Sequence, residues 1–398
     1  MTEARVLIVG AGPVGMTAAA YLANEGIPVT VVDAHRDVPT DLRASTFHPP
    51  TLDMLDRFGI GKKCVEQGLI CPQWQFRDRR EGVIATFDLS LLKDETNHPY
   101  RLQCEQWKLS LLLRDWLQAH PDAEVIFGAR AVDVAQDDDG VTVSVEREDG
   151  TKESLRGRYL IGADGARSNI RKALGVKFEG MTIPEIFLSI STPFPFQEAF
   201  DDLSNISYLS DPDEWAVLLR TPSLWRVLLP TDPGETPEQM KSAARVEERL
   251  QALCPNPNPY EIVHAVDYRV HEKVAENYTF GRIFLAGDAA HLNNPLGGMG
   301  MNGGIHDAMN LAGKLTRVWH GAPLSLMGRY ERQRRKVAVE TVQAQALRNR
   351  SILNERSPEA RKAYHDELRA TVADPVKHKA YVMRSSLLQS LRDLEDVE

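Results

Sequence analysis

An α/β fold is what this 398-residue chain predicts: a parallel sheet wound with helices, an antiparallel sheet inserted into it, and a helical tail. Three observations carry that reading. Apolar strands feed glycine turns that open helices near residues 6–24, 159–174 and 283–315, the order of parallel βαβ units. Between about Glu179 and His271 the texture changes to segments of alternating polarity. After about residue 345 the chain is charged and helical.

The first unit begins with the strand Val6-Leu7-Ile8-Val9, turns through Gly10-Ala11-Gly12-Pro13-Val14-Gly15 and continues as an Ala- and Leu-rich helix from Thr17 to Asn24. Gly10 allows the tight turn, Gly12 allows close approach of a pyrophosphate, and Gly15 allows helix and strand to pack closely. Phosphate is drawn to the free N–H groups and positive end of the helix. The next strand, Pro28 to Val32, ends at Asp33-Ala34, about twenty residues on, where a carboxylate accepts from ribose hydroxyls.

The second unit runs from Tyr159-Leu160-Ile161 into Gly162-Ala163-Asp164-Gly165-Ala166-Arg167-Ser168 and a short helix, Asn169 to Leu174. Its tight turn suits a pyrophosphate loop, with Asp164 organising water and backbone donors. The third passes from Ile283–Ala286 through Gly287-Asp288-Ala289-Ala290-His291 to the glycine-dense stretch Pro295-Leu296-Gly297-Gly298-Met299-Gly300-Met301-Asn302, then a helix over Ile305–Leu315. Asp288 is placed for a sugar-alcohol hydroxyl. The open loop after it leaves room for a ring system, and its N–H groups favour negative charge on that ring's edge. Three turns suited to three parts of one dinucleotide indicate FAD.

Composition narrows the class. A hydrophobic fraction of 42% and a charged fraction of 26% are those of a globular enzyme, with length for roughly two to three domains of about 150 residues. No stretch approaches the roughly 18 apolar residues of a membrane span. The opening residues lack a signal-peptide pattern, so the expected location is the cytoplasm. A net charge of −9 argues against nucleic acid or an anionic membrane as partner. The basic run Arg332-Gln333-Arg334-Arg335-Lys336 is read as a solvated helix face. Cys64, Cys71, Cys104 and Cys254 show neither disulfide nor metal spacing and are read as reduced thiols in or near the core; no metal is expected.

With the three turns in place, the chain resembles the class A flavoprotein monooxygenases, the single-component aromatic hydroxylases typified by para-hydroxybenzoate hydroxylase. The resemblance spans about residues 3–345: the glycine turn at Gly10, Gly12 and Gly15, the Asp-Gly motif at Asp164 and Gly165, and the Gly-Asp motif at Gly287 and Asp288, with Pro295, Gly300 and Asn302 in register. It implies a Rossmann-like, glutathione reductase-type FAD-binding domain over 1–178 and 272–345. It also implies an inserted antiparallel-sheet substrate domain over 179–271 with a contribution from about 71–102, and a C-terminal helical segment over 346–398. The expected FAD contacts are Gly10, Gly12, Pro13, Val14, Gly15, Asp33, Ala34, Asp164, Gly165, Gly287, Asp288, Pro295, Gly298, Gly300, Met301 and Asn302. Arg43 looks like the family's flavin-contacting arginine and Gln106 like its flavin-contacting polar residue, with Gln103 competing for the latter role. His306-Asp307-Ala308 and Gly313-Lys314-Leu315 depart from the family's common Gln-Asp-Ala and Trp-Lys-Leu.

The further Gly-x-Gly-x-x-Gly, Gly298 to Gly303, lies within the third motif, so no separate nicotinamide domain is expected, and the resembled family has none either. The resemblance implies NADH or NADPH as a transient co-substrate, O2 as oxidant, a flavin C4a-hydroperoxide, and hydroxylation of a phenolic or hydroxylated N-heteroaromatic compound. An oxygenase of a non-aromatic enol, polyketide or isoprenoid, a flavoprotein reductase or dehydrogenase, and a non-catalytic FAD-binding partner remain alternatives. His48, Tyr208, His291 and His271 are candidates to orient or deprotonate the substrate, His48 first, and Arg220 is a candidate for a substrate carboxylate. The tail is expected on the outside or against a second copy of the chain, making a homodimer a candidate assembly.

Overall fold

The computed structural model describes residues 4–232 and 234–398. Among these residues the first layer is a six-stranded sheet in the order Thr279–Phe280, Ile283–Leu285, Tyr159–Gly162, Val6–Val9, Val29–Val32 and Ala123–Ile126. All neighbours run parallel except the edge pair Thr279–Phe280 and Ile283–Leu285. Its inner strands are buried on both faces and consist mainly of Val, Leu and Ile, as expected of parallel strands covered by helices. Helices Pro13–Asn24 and Met299–Trp319 pack on one another against it. All three glycine turns leave this sheet at the carboxyl ends of adjacent strands, where ligands of open α/β sheets bind.

The second layer is an eight-stranded sheet running from His291–Leu292 through His264–Ala275, Phe178–Thr192, Trp225–Pro230, Ala216–Arg220, Ile206–Ser210 and Gln73–Asp78 to Gly82–Asp88. It is antiparallel except where Ile206–Ser210 pairs parallel with Gln73–Asp78, so the early strands 73–88 complete a sheet built mainly from 178–275. A three-stranded antiparallel ribbon, Ala129–Gln136, Val141–Arg147 and Lys152–Gly157, stands apart, its hairpin turned by Asp137–Gly140. The four cysteines are unpaired and buried, and burial pushes the Cys71 and Cys104 thiols up to about 12.

The tail does not pack as expected. Helices Pro358–Ala373 and Pro375–Ser385 lie on the second sheet, where Tyr364, Tyr381, Val382 and Met383 share one apolar cluster with Trp74, Phe76, Phe87 and Tyr208. Tyr381 stacks on Phe87 at 4.4 Å, and Phe87 on Trp74 at 4.1 Å. These aromatic residues lie on two segments nearly 300 positions apart, and each face completes the other's core. The basic run was also misread: Gln333 and Arg334 are buried, because helix Met327–Lys336 turns that face against Met299–Trp319. A π-helical stretch, Val337–Gln343, joins it to Ala344–Leu353 and to the tail.

Candidate functional site

A groove of about 450 Å³ runs along the carboxyl ends of the first sheet and is lined by Gly10, Gly12, Pro13, Asp33, Ala34, Arg43, Gln106, Asp164 and Gly165. The three glycines of the first turn play different parts. Gly10 has φ +110°, and a Cβ there would overlap the Ala163 carbonyl; a Cβ at Gly15 would overlap the Gly10 carbonyl oxygen. At Gly12 a Cβ would meet nothing, since that position faces the groove. Pro13 is the first residue of the helix, where its missing N–H costs nothing. Asp33 accepts from the N–H groups of Ala11 (2.7 Å) and His35 (2.8 Å), which fixes the carboxylate at the groove's end.

Asp164 is turned toward its own helix. It accepts from Ser168 Oγ (2.5 Å) and the N–H groups of Asn169 (2.7 Å) and Ile170 (3.2 Å), although burial raises its pKa. Its role is to hold the Gly162–Gly165 turn against the groove. Arg171, buried behind it, donates to the carbonyls of Ala289 (2.9 Å) and Ala166 (2.8 Å), clamping the second and third turns together. Val14 fills the space beside Gly287 (φ +61°) and Gly304, so no larger residue fits at either glycine.

Asp288 follows Gly287 in the third turn; its side chain is open to solvent, and among the described residues it accepts no hydrogen bond. Desolvation raises its pKa, with His291 and Arg43 pulling the other way. A solvent-accessible carboxylate without a protein donor suits a hydroxyl-rich ligand. Asp288→Ala is therefore expected to weaken FAD retention by about 10- to 100-fold, the worth of one or two hydrogen bonds to a charged acceptor. Flavin fluorescence after gel filtration checks this, and unchanged occupancy would count against the placement.

The glycine-rich loop is held from behind. Gly298 sits in the left-handed region at the head of the helix, with Thr46 against the place of a Cβ, and its N–H donates to the Pro295 carbonyl. Asn302 accepts from the His48 N–H (2.9 Å) and donates to the carbonyls of Thr46 (2.8 Å) and Gly298 (2.6 Å). Gly300 lies beside Asn293, and Met301 is buried. Glu272 accepts from the Asn294 N–H, while burial pushes its carboxyl up to about 7. A raised carboxyl is neutral in the folded chain at low pH, so stability is full below about 4.5 and falls as pH rises through 7. Relative to the native chain, Glu272→Gln should gain roughly 2–3 kcal/mol between pH 5 and pH 8 in chemical unfolding; a pH-independent difference would contradict this.

Sequence reasoning did not find the hub behind the third turn. Asp307 accepts from the Gly287 N–H (3.0 Å) and Arg334 Nε (2.5 Å) and lies 2.7 Å from His291 Nε2, all buried; against the desolvation that burial brings, the Arg334 charge and these hydrogen bonds hold its carboxyl down to about 2. His291 is thus engaged inside the protein. His306 pairs with Thr51 Oγ1 (2.9 Å), and burial keeps it neutral. Arg226, in an apolar strand, donates to the carbonyls of Leu42 and Arg43 and so shapes the loop that carries Arg43. The Arg43 side chain itself is exposed beside Asp41. Gln106, whose N–H donates to Ala44, lines the groove; Gln103 is buried and donates to Thr46.

A second cavity lies where Gly297 and Met299 meet the antiparallel sheet and the tail, and Tyr208 lines it with Trp74, Phe76, Arg101, Tyr364 and Tyr381. Its free volume is about 30 Å³, so a substrate ring enters only as the closing side chains give way. His48 is buried behind Gly297, with Nε2 3.0 Å from that carbonyl and Nδ1 unpartnered, and burial drives its pKa well below the usual value. His271 faces Thr182 on the sheet, and Arg220 lies near Asn205 and Trp225; neither lines this cavity.

The groove's open Gly12 face, together with the unpartnered acid at Asp288 and the N–H-bearing loop ahead of Met299–Trp319, suits FAD. Comparison with known proteins agrees. The model of a family described as FAD binding domain matches residues 3–345. The chain is 35% identical over 362 residues to para-nitrophenol 4-monooxygenase of Pseudomonas sp. (strain WBC-3), covering 89% of each chain. It is 33% identical over 375 residues to 6-hydroxy-3-succinoylpyridine 3-monooxygenase HspB of Pseudomonas putida (strain DSM 28022 / S16), covering 93% of this chain and 94% of that one. The crystal structure of p-nitrophenol 4-monooxygenase PnpA from Pseudomonas putida DLL-E4 superposes with a TM-score of 0.92 at 31% identity over 98% of both chains. The glycine turns, the groove they border and these likenesses place the chain in the FAD-binding family of class A flavoprotein monooxygenases, as an aromatic hydroxylase.

Proposed function

We propose that this enzyme adds one oxygen atom to a ring carbon ortho or para to the hydroxyl of a phenol or hydroxylated N-heteroaromatic compound, with NADH or NADPH as reductant and O2 as oxidant. The observation that carries this reading is the shared wall: Gly297 and Met299, in the loop suited to the flavin ring, also line the aromatic cavity under the tail. The nitrophenol and hydroxypyridine named for the relatives fit a cavity of that character.

FAD, when bound, supplies hydride acceptance and oxygen activation. The chain supplies position and dryness. Trp74, Phe76, Tyr208, Tyr364 and Tyr381 form walls that hold a flat ring and exclude water, and the tail closes the opening. The N–H groups in the first turn of Met299–Trp319 suit negative charge on the edge of a reduced ring. His48, neutral and buried, fixes the Gly297 carbonyl and so the loop.

The test is oxidation of NADH and NADPH by the FAD-loaded protein across hydroxylated benzoates, phenols and pyridines under labelled O2, with peroxide release followed in parallel. Stimulation by one class, little peroxide and one labelled oxygen in the product is the expected result. Slow oxidation throughout, with all reducing equivalents recovered as peroxide, would overturn it.

A further inference from the structure

Arg101 stands at the start of the short strand Arg101–Gln103, on the wall of the aromatic cavity, and is 2% exposed. Its Nη2 donates to the Ser385 carbonyl at 3.2 Å, its guanidinium lies over the Trp74 ring at 5.1 Å, and its Nε has no partner. Tyr208, whose hydroxyl hydrogen-bonds to it, and Tyr381 lie beside it, and among the described residues no carboxylate pairs with it. Guanidinium keeps its proton even when buried, so this is a full positive charge out of water.

The other buried arginines show how unusual this is. Arg334, Arg249 and Arg361 each pair with a carboxylate, on Asp307, Glu214 and Asp78. Arg77, Arg171 and Arg226 each donate to two or more oxygens of the surrounding chain. Arg101 alone among the buried arginines of the described residues has only one carbonyl and one neutral hydroxyl, that of Tyr208, as partners, a free Nε and the aromatic cavity in front of it. Buried charge without a counter-charge is costly unless something else supplies one.

The approach to the cavity is also cationic. An outer cleft of about 230 Å³ shares Gln345, Tyr381 and Ser385 with it and is lined by Arg348, Lys377 and Arg384, with Glu367 the opposing acid in the lining. Glu367 pairs with Arg348 at 3.1 Å, and Lys377 lies 3.9 Å from Asp374, leaving Arg384 without an acidic partner among the described residues. In a chain of net charge −9, such a mouth draws anions locally.

We propose that Arg101 receives the phenolic oxygen of the aromatic substrate as an oxyanion, so that the ring binds as its phenolate and the phenolic proton is released to solvent. This rests on the reading that the aromatic substrate occupies this cavity. An opposite charge at contact lowers a bound phenol's pKa by about 1–3 units, and the phenolate is the more nucleophilic ring. Arg101 therefore selects substrates that ionise easily and prepares them for attack by an electrophilic oxygen, with no base required of the protein.

The test uses the FAD-loaded, oxidised protein and two probes of one shape, para-nitrophenol and nitrobenzene. At a pH one unit below the solution pKa of para-nitrophenol, saturation is expected to bring up the nitrophenolate absorption band and release of about one proton per site. Nitrobenzene should bind about 100-fold more weakly. Arg101→Lys should keep the band, and Arg101→Met should lose it and bind both probes alike. Para-nitrophenol bound in its neutral form, or bound as the anion equally well by Arg101→Met, would overturn the assignment while leaving hydroxylation intact. The native-chain measurement decides the question even if a variant fails to fold. If neither probe perturbs the flavin spectrum and no phenol stimulates NAD(P)H oxidation, the proposed function falls and this inference with it.

Discussion

Asp307→Asn is expected to lower stability by about 3–5 kcal/mol, because it leaves the Arg334 guanidinium, 1% exposed, buried without its carboxylate. For a chain of this length that is a fall of roughly 5 °C in Tm, readable by calorimetry. The loss should extend to the cofactor, since the same carboxylate accepts from the Gly287 N–H and so fixes the turn that carries Asp288. Purified Asp307→Asn should therefore also retain less FAD. Adding Arg334→Met removes the stranded cation and should restore part of the stability but not the flavin. Equal stability of Asp307→Asn and the native chain would refute the role given to this pair. The pH dependence has a definite sign. The Asp307 carboxyl is held down to about 2, so its contribution is present above about 4 and is lost as pH falls toward 2.

The second large effect separates two glycines three positions apart. Gly15→Ala is expected to prevent accumulation of folded holoenzyme, because its Cβ would overlap the Gly10 carbonyl oxygen where helix and strand are closest. Overpacking of this kind costs about 1–3 kcal/mol or more when backbone must move. Gly12→Ala should leave the flavin-free chain as stable as the native one, since its Cβ meets nothing in the protein, yet FAD affinity should fall by at least 10-fold. A thermal melt of the flavin-free protein, paired with FAD titration, distinguishes the two. Matching stability losses in both variants would mean that Gly12 does not face the ligand.

Much of the first layer was legible because its signals are local. A buried parallel strand must be apolar throughout, a turn that lets two backbones touch must be glycine, and both statements can be read from consecutive residues such as Val6–Gly15 or Ile283–Asp288. The order of the three turns then pointed to one ligand. The partners of these motifs were not legible, because they come from elsewhere. Arg171 reaches Ala289 across 118 positions, and Arg226 reaches Leu42 across 184. In sequence Arg226 is an arginine among apolar neighbours and Arg171 one half of a basic pair with Lys172, with nothing to say which carbonyls either will meet.

The basic run Arg332–Lys336 shows the same limit from the other side. Five polar residues in a row look solvated, yet helical periodicity places Gln333 and Arg334 on the inner face, and only the packing of Met327–Lys336 on Met299–Trp319 reveals an acid waiting for Arg334. His291 likewise looked available until its Nε2 was found on Asp307. The tail looked peripheral until Tyr364 and Tyr381 were found in the cavity wall.

What the sequence by itself determined, then, is the first sheet, its three glycine turns and the dinucleotide they suit, since each depends on the sterics and hydrogen bonding of neighbours along the chain. Tertiary structure alone decided where the aromatic cavity lies, which helices close it and which arginine stands uncompensated within it. Those properties arise where Trp74, Arg101, Tyr208 and Tyr381 converge, and the burial and counter-charge of a side chain belong to its spatial neighbours, which order along the chain does not state.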